Sequence, residues 1–158
     1  MNKVFFNSEG IELPSWTPAA KNFVKAVLKK LDLDNWELSV LFCNNSYIKE
    51  LNTKFRNKDE ATDVISFPLD SAPGKSLGKS PGEKGPSRRF MAGDIAISLD
   101  ALEENSRFFK VSADEELRRL LVHGILHLRG EDHATNNADE PMLIYQEEIL
   151  RGVTENIL

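Results

Sequence analysis

Ser112–His133 reads SADEELRRLLVHGILHLRGEDH, and the rest of the chain is best understood outward from it. Ser112 followed by Glu115 fits a capping box. Leu117, Leu120, Leu121, Ile125, Leu126 and Leu128 then give a broad apolar helical face, and Gly130 stops the helix. All three histidines of the chain, His123, His127 and His133, lie in this one stretch. A separation of four residues puts His123 and His127 on one helical face, about 6 Å apart along the axis. Glycine can take the left-handed conformation that ends a helix, so the chain can fold back at Gly130 and bring His133 to the same point. Three neutral imidazoles leave a fourth tetrahedral position for water, the composition of a catalytic zinc site, although imidazole also suits iron, nickel or copper. The bland alternative, packed core histidines with an incidental third, does not account for the H-x3-H-x5-H spacing, and burying three imidazoles without partners is costly.

On either side of this stretch the pattern alternates. Lys3–Phe6 and Trp36–Cys43 read as strands around a helix at Pro18–Asp32, which carries Phe23, Val24, Val27, Leu28 and Leu31 at helical spacing. A second helix is predicted from Asn45 or Ser46 to about Asn57, with Tyr47, Ile48, Leu51 and Phe55 on its apolar face. DVISFP, ending in Pro68, and DIAISL, from Asp94, are short strands rich in β-branched residues. Asp100–Lys110 is a further helix, and a last one starts near Asp139 with Pro141 in its first turn. The expected fold is α/β (α+β): a small mixed sheet of about four strands packed with about five helices, bearing a metzincin-like metal site.

A chain of 158 residues is long enough for one domain and short for two, so residues 1–158 are expected to form a single domain. At 41% apolar and 28% charged the composition is that of an ordinary globular chain. No apolar run approaches the roughly 18 residues of a membrane span, and MNKVFFNSEG is too polar to open a signal peptide, so a cytoplasmic location without membrane attachment is expected. Cys43, the one cysteine, lies in apolar SVLFC and reads as core. The net charge of −5 offers no global attraction to nucleic acid, so if RNA or DNA is the partner a local patch must hold it. Residues 70–89 differ in character: Pro73, Pro81 and Pro86 with four glycines read as a flexible basic insertion. Over residues 74–89 five cations face Glu83, a net +4 that leaves −9 for the remainder.

The histidine spacing is that of the metzincin proteases, HExxHxxGxxH, except that Gly124 stands where their general base would be. Glu131 and Asp132 flank His133, and either can orient a ring or meet a metal-held water. The residues also leave open a metallopeptidase weakened by Gly124 and a non-enzymatic factor whose metal only pins the last helices.

HGILHLRGEDH matches the HGxLHLxGxDH signature of the YbeY family, bacterial zinc-dependent endoribonucleases of ribosomal RNA maturation, which this chain resembles. Two further blocks agree in order and context, LNTKFRNKDEATDVISFP at Leu51–Pro68 and GDIAIS at Gly93–Ser98. The resemblance implies one zinc ion per chain held by His123, His127 and His133. It implies cleavage of single-stranded RNA in 16S rRNA 3′-end maturation and ribosome quality control, with the ribosome, its proteins or assembly factors as partners. It also implies a catalytic role for Arg56 in the active-site cleft. That agrees with its chemistry, since a guanidinium holds a phosphate bidentately and Lys54 and Lys58 lie close in sequence; the alternative is a solvated helix end. Asp63 and Ser66 are expected to shape the strand rather than perform chemistry. Activation of a water and activation of the RNA 2′-hydroxyl are both compatible routes. The basic insertion departs from the family pattern and is expected either to meet phosphates or to ride on the surface.

Overall fold

The computed structural model describes residues 1–70 and 89–158. The basic insertion expected at 70–89 falls almost wholly outside the described residues.

The elements run β1 (Lys3–Glu9), α1 (Thr17–Lys30), β2 (Trp36–Cys43), α2 (Asn45–Arg56), β3 (Val64–Pro68), β4 (Phe90–Ser98), α3 (Leu99–Phe109), α4 (Ala113–Leu128) and α5 (Pro141–Gly152). The four strands form one sheet in the order β1-β2-β4-β3. β1, β2 and β4 are parallel, and β3 runs antiparallel against β4 at the edge. The expected mixed sheet with five helices is therefore the observed architecture.

Strand alternation sorts the core into two faces. Leu38, Val40 and Phe42 of β2 and Ile95 and Ile97 of β4 point into the main core with Phe23, Val27 and Leu28 of α1 and Leu117, Leu121 and Ile125 of α4. The intervening Cys43 and Ala96, with Ile65 of β3, meet Ile48 of α2 on the opposite face. Cys43 is fully buried, its thiol pushed up to about 12 by burial and then by the Asp100 charge.

Three boundaries differ from the sequence expectation. β1 extends to Glu9, because its partner β2 offers a continuous parallel edge from Glu37 to Cys43. β4 begins at Phe90, four residues before DIAISL, where Phe90 stacks on Trp36 at 4.9 Å. FMAG lacks β-branched residues, and the register between β2 and β4 slips at Glu37/Leu38, so that Met91 and Gly93 pair while Ala92 is the extra residue of a bulge. Gly93 has φ +135, and a Cβ there would lie 2.1 Å from the Phe67 carbonyl oxygen, so only glycine fits. Leu99 opens α3 instead of closing β4, since Ser98 caps the helix by accepting the Ala101 N–H.

Candidate metal centre

Helix α4 starts as its sequence implies, with the Ser112 hydroxyl accepting the Glu115 N–H at 3.0 Å. The reciprocal half of the capping box is not made, because the Glu115 carboxylate bonds Arg119 instead. One turn separates His123 from His127, and their Nε2 atoms stand 3.1 Å apart. At the helix end Glu131 N–H donates to Leu126 and Gly130 N–H to His127, a Schellman closure around Gly130 at φ +104. The turn brings His133 back, with ring centroids 5.2 Å from His123 and 5.4 Å from His127. One ligand nitrogen from each ring lies within 4.8 Å of the others, so the cluster can hold a metal ion. Two carboxylates pin the returning loop: Glu140 accepts the N–H groups of Ala134 and Thr135, and Asp132 accepts that of His133.

The outer ring nitrogens decide which nitrogens face inward. His123 Nδ1 lies 2.7 Å from Gln146 Oε1, and His133 Nδ1 lies 2.8 Å from the Thr135 carbonyl. His127 is bonded to the Glu131 main chain, with Asp132 Oδ1 3.9 Å from its Nδ1. The Gln146 amide has only one sensible orientation. Its Nε2 donates to the Glu147 carboxylate at 3.1 Å, and Arg119 holds that carboxylate through Nε and Nη2, each at 3.0 Å. Oε1 must therefore face His123, and the imidazole must carry its proton on Nδ1. Its Nε2 is then a bare lone pair, and 3.1 Å from the equally bare Nε2 of His127 it repels unless a cation sits between them. Burial also keeps both rings neutral: His123 is lowered by desolvation first, and His127 is lowered to about 4 by desolvation and then by its histidine neighbours. Neutral imidazoles with satisfied outer N–H groups form a donor set that fits a divalent ion.

The cluster opens into a cleft of about 1340 Å³ that runs along the edge strand β3. Arg56, the last residue of α2, lines this cleft with the three histidines and makes no ion pair among the described residues. Asp63 accepts from Val64 N and Asn105 Nδ2, and Ser66 donates to the Gly124 carbonyl at 3.2 Å, so both tie β3 to its neighbours. Glu131 is half-buried, its Oε2 3.6 Å from Arg129 and without a hydrogen bond. Gly124 is a packing residue: a Cβ there would meet Ile95 Cγ2 at 2.8 Å and Cδ1 at 2.9 Å. Any side chain at this position would require Ile95 to shift, and with glycine here the general base of the metallopeptidase reading is missing.

Sequence reasoning did not single out Gln146, Arg119, Glu116 or Asn105. Arg119 reaches Glu115, Glu116 and Glu147, and Asn105 bridges Glu116 and Asp63 beneath the cluster. One signal was available: Gln146 falls four residues after Met142 and four before Leu150, a polar residue at an apolar-face position, and it is buried.

Fold and site together define an α/β protein whose open cleft is built around a metal-capable cluster of three histidines. The model of the family described as Endoribonuclease YbeY matches residues 4–154. Endoribonuclease YbeY of Treponema denticola is 47% identical over 130 residues, covering 82% of this chain and 79% of that protein. Its namesake from Treponema pallidum is 43% identical over 150 residues, covering 95% and 89%. The solution structure of TM1509 from Thermotoga maritima superposes with a TM-score of 0.61 at 26% identity, over 95% of this chain and 88% of that one. The chain belongs to the endoribonuclease YbeY family and is an RNA-cleaving hydrolase.

Proposed function

We propose that this endoribonuclease is specific for single-stranded RNA and depends on one zinc ion per chain, held by His123, His127 and His133. We further assign it to 16S rRNA 3′-end maturation and ribosome quality control in the cytoplasm, with the ribosome, its proteins or assembly factors as partners. The observation that carries the metal reading is the convergence of three lone-pair nitrogens whose outer N–H groups are already satisfied, at the floor of a cleft large enough for several nucleotides.

Held there by His123, His127 and His133, zinc would supply Lewis acidity toward a phosphodiester and a means of lowering the pKa of water toward about 7. The chain's own residues supply orientation and charge. Gln146 and the Thr135 carbonyl hold the His123 and His133 rings so that their inner nitrogens meet. Arg56, on the same cleft wall, is the proposed catalytic residue: its guanidinium grips a phosphate bidentately and offsets the negative charge that grows on it.

Elemental analysis and single-stranded RNA cleavage, run on the parent, His127→Ala and Arg56→Ala, test the reading. His127→Ala is expected to lose both metal and cleavage. Arg56→Ala is expected to keep its metal and cleave about 100- to 1000-fold more slowly. A metal-free His127→Ala protein that cleaves at the parental rate overturns the zinc assignment, and unchanged cleavage by Arg56→Ala overturns the role of that residue.

A further inference from the structure

Four of the nine phenylalanines stand in water, and three of these, Phe55, Phe108 and Phe109, are at or beside the cleft. Phe55 is 57% exposed and Phe109 is 59% exposed, yet both line the cleft that holds the histidines. The helical pattern of α2 assigns Phe55 to the apolar face with Ile48 and Leu51; in the structure Ile48 is fully buried and Phe55 is not. It lies edge-on to Phe67, with centroids 5.3 Å apart, instead of entering the core. Phe109 ends α3, with its ring edge-on to the still more exposed Phe108, centroids 5.1 Å apart. Single exposed apolar side chains need no explanation, but two flat rings reaching one cleft from the C-terminal turns of two helices do.

From these positions we infer that Phe55 and Phe109 are stacking subsites for the unpaired nucleobases of the RNA substrate. The chemistry beside Phe55 favours a nucleic acid over an apolar protein partner. Lys54 precedes it, with Nζ 5.3 Å from the ring centroid, and Arg56 follows it on the cleft wall. A π-face flanked in the chain by two cations matches a nucleotide, whose base stacks while its phosphates meet the charges. The bases of a duplex already stack on one another and have no face to offer, so the two rings select single strands. This inference rests on the endoribonuclease activity of the cleft and adds the feature that chooses among RNAs.

The test is fluorescence anisotropy of a labelled short oligoadenylate on zinc-loaded protein, with probe integrity checked on a gel after each titration. Phe55→Ala and Phe109→Ala are each expected to weaken binding about 5- to 100-fold. Phe→Leu at either position is expected to behave like Phe→Ala, and Phe→Trp to retain affinity, because only the latter keeps a π-face. Both positions are exposed, so the variants are expected to unfold at the parental temperature, and KM is expected to rise more than kcat falls. Ala variants that bind the oligonucleotide as the parent does, in a protein that cleaves RNA, overturn the stacking subsites and leave the activity standing. Full rescue by leucine overturns them too, pointing to an apolar surface for a protein partner. A parent that neither binds nor cuts single-stranded RNA overturns the activity itself.

Discussion

The Gln146 amide offers a hydrogen-bond acceptor at one end and a donor at the other, and the Glu147 carboxylate takes the donor. Gln146→Leu removes the acceptor that keeps the His123 proton on Nδ1, and zinc affinity is expected to fall about 10- to 100-fold in competition with a chromophoric chelator. Gln146→Glu keeps an acceptor at that distance and is expected to retain most of the affinity. Arg119 sets the orientation only through Glu147, which makes it a positioning residue two contacts away from the cluster. Gly124→Ala belongs to the same scale. Its methyl would lie 2.8 Å from Ile95 Cγ2, a β-branched atom of a fully buried side chain that cannot swing away. A loss of about 1–3 kcal/mol in urea unfolding is expected. The convergence of the three histidines was legible in the sequence because their spacing alone brings the rings together. Gln146 was not singled out, because one polar residue on an apolar stripe signals burial but not its partner.

At the scale of elements, α4 works on three sides at once: its apolar stripe packs the sheet, its histidines face the cleft, and its first turn holds the C-terminus. Asp114 accepts the N–H groups of Ile157 and Leu158 at 2.7 and 2.9 Å and pairs with Arg118 at 2.9 Å. Burial opposes its ionisation, but the Leu158 and Ile157 amides and Arg118 outweigh it and hold the carboxyl below its ordinary 3.8. A carboxyl lowered on folding stabilises the protein fully above its unfolded value, and that contribution fades as pH falls through the folded value. Asp114→Asn is therefore expected to flatten the stability profile on the acid side of about pH 4, read as midpoint against pH in thermal unfolding. Helices α1, α2, α3 and α4 were legible within a few residues because each carries an apolar stripe and most carry a capping residue. The start of β4 was not, because FMAG owes its strand conformation to the bulge at Ala92 and to Trp36 on the neighbouring strand, and these are tertiary facts.

On the scale of the molecule, the histidine cluster joins the end of α4 to the loop that leads into α5, so the proposed metal would couple to the fold. With free zinc at about 100 times its Kd, the proposed site adds about 2.7 kcal/mol to stability. Chelation is expected to lower the melting temperature of the parent and to leave that of His127→Ala unchanged. The net charge of −5 offers no global attraction to nucleic acid, which leaves that attraction to local groups such as Arg56 on the cleft. The close approach of Ile95 to Gly124 also ties the two positions together. A glutamate at position 124 would stand where peptide-cleaving enzymes of the same histidine spacing carry their base, and its Cβ would press on Ile95 as the Gly124→Ala methyl does. Shortening Ile95 on β4 would make room for that Cβ, and made alone it would leave a cavity in the main core. The two positions are therefore expected to be coupled: a larger residue at 124 and a shorter one at 95 should cost less together than the sum of the two changes made singly, a non-additivity that a double-mutant cycle in urea unfolding reads directly.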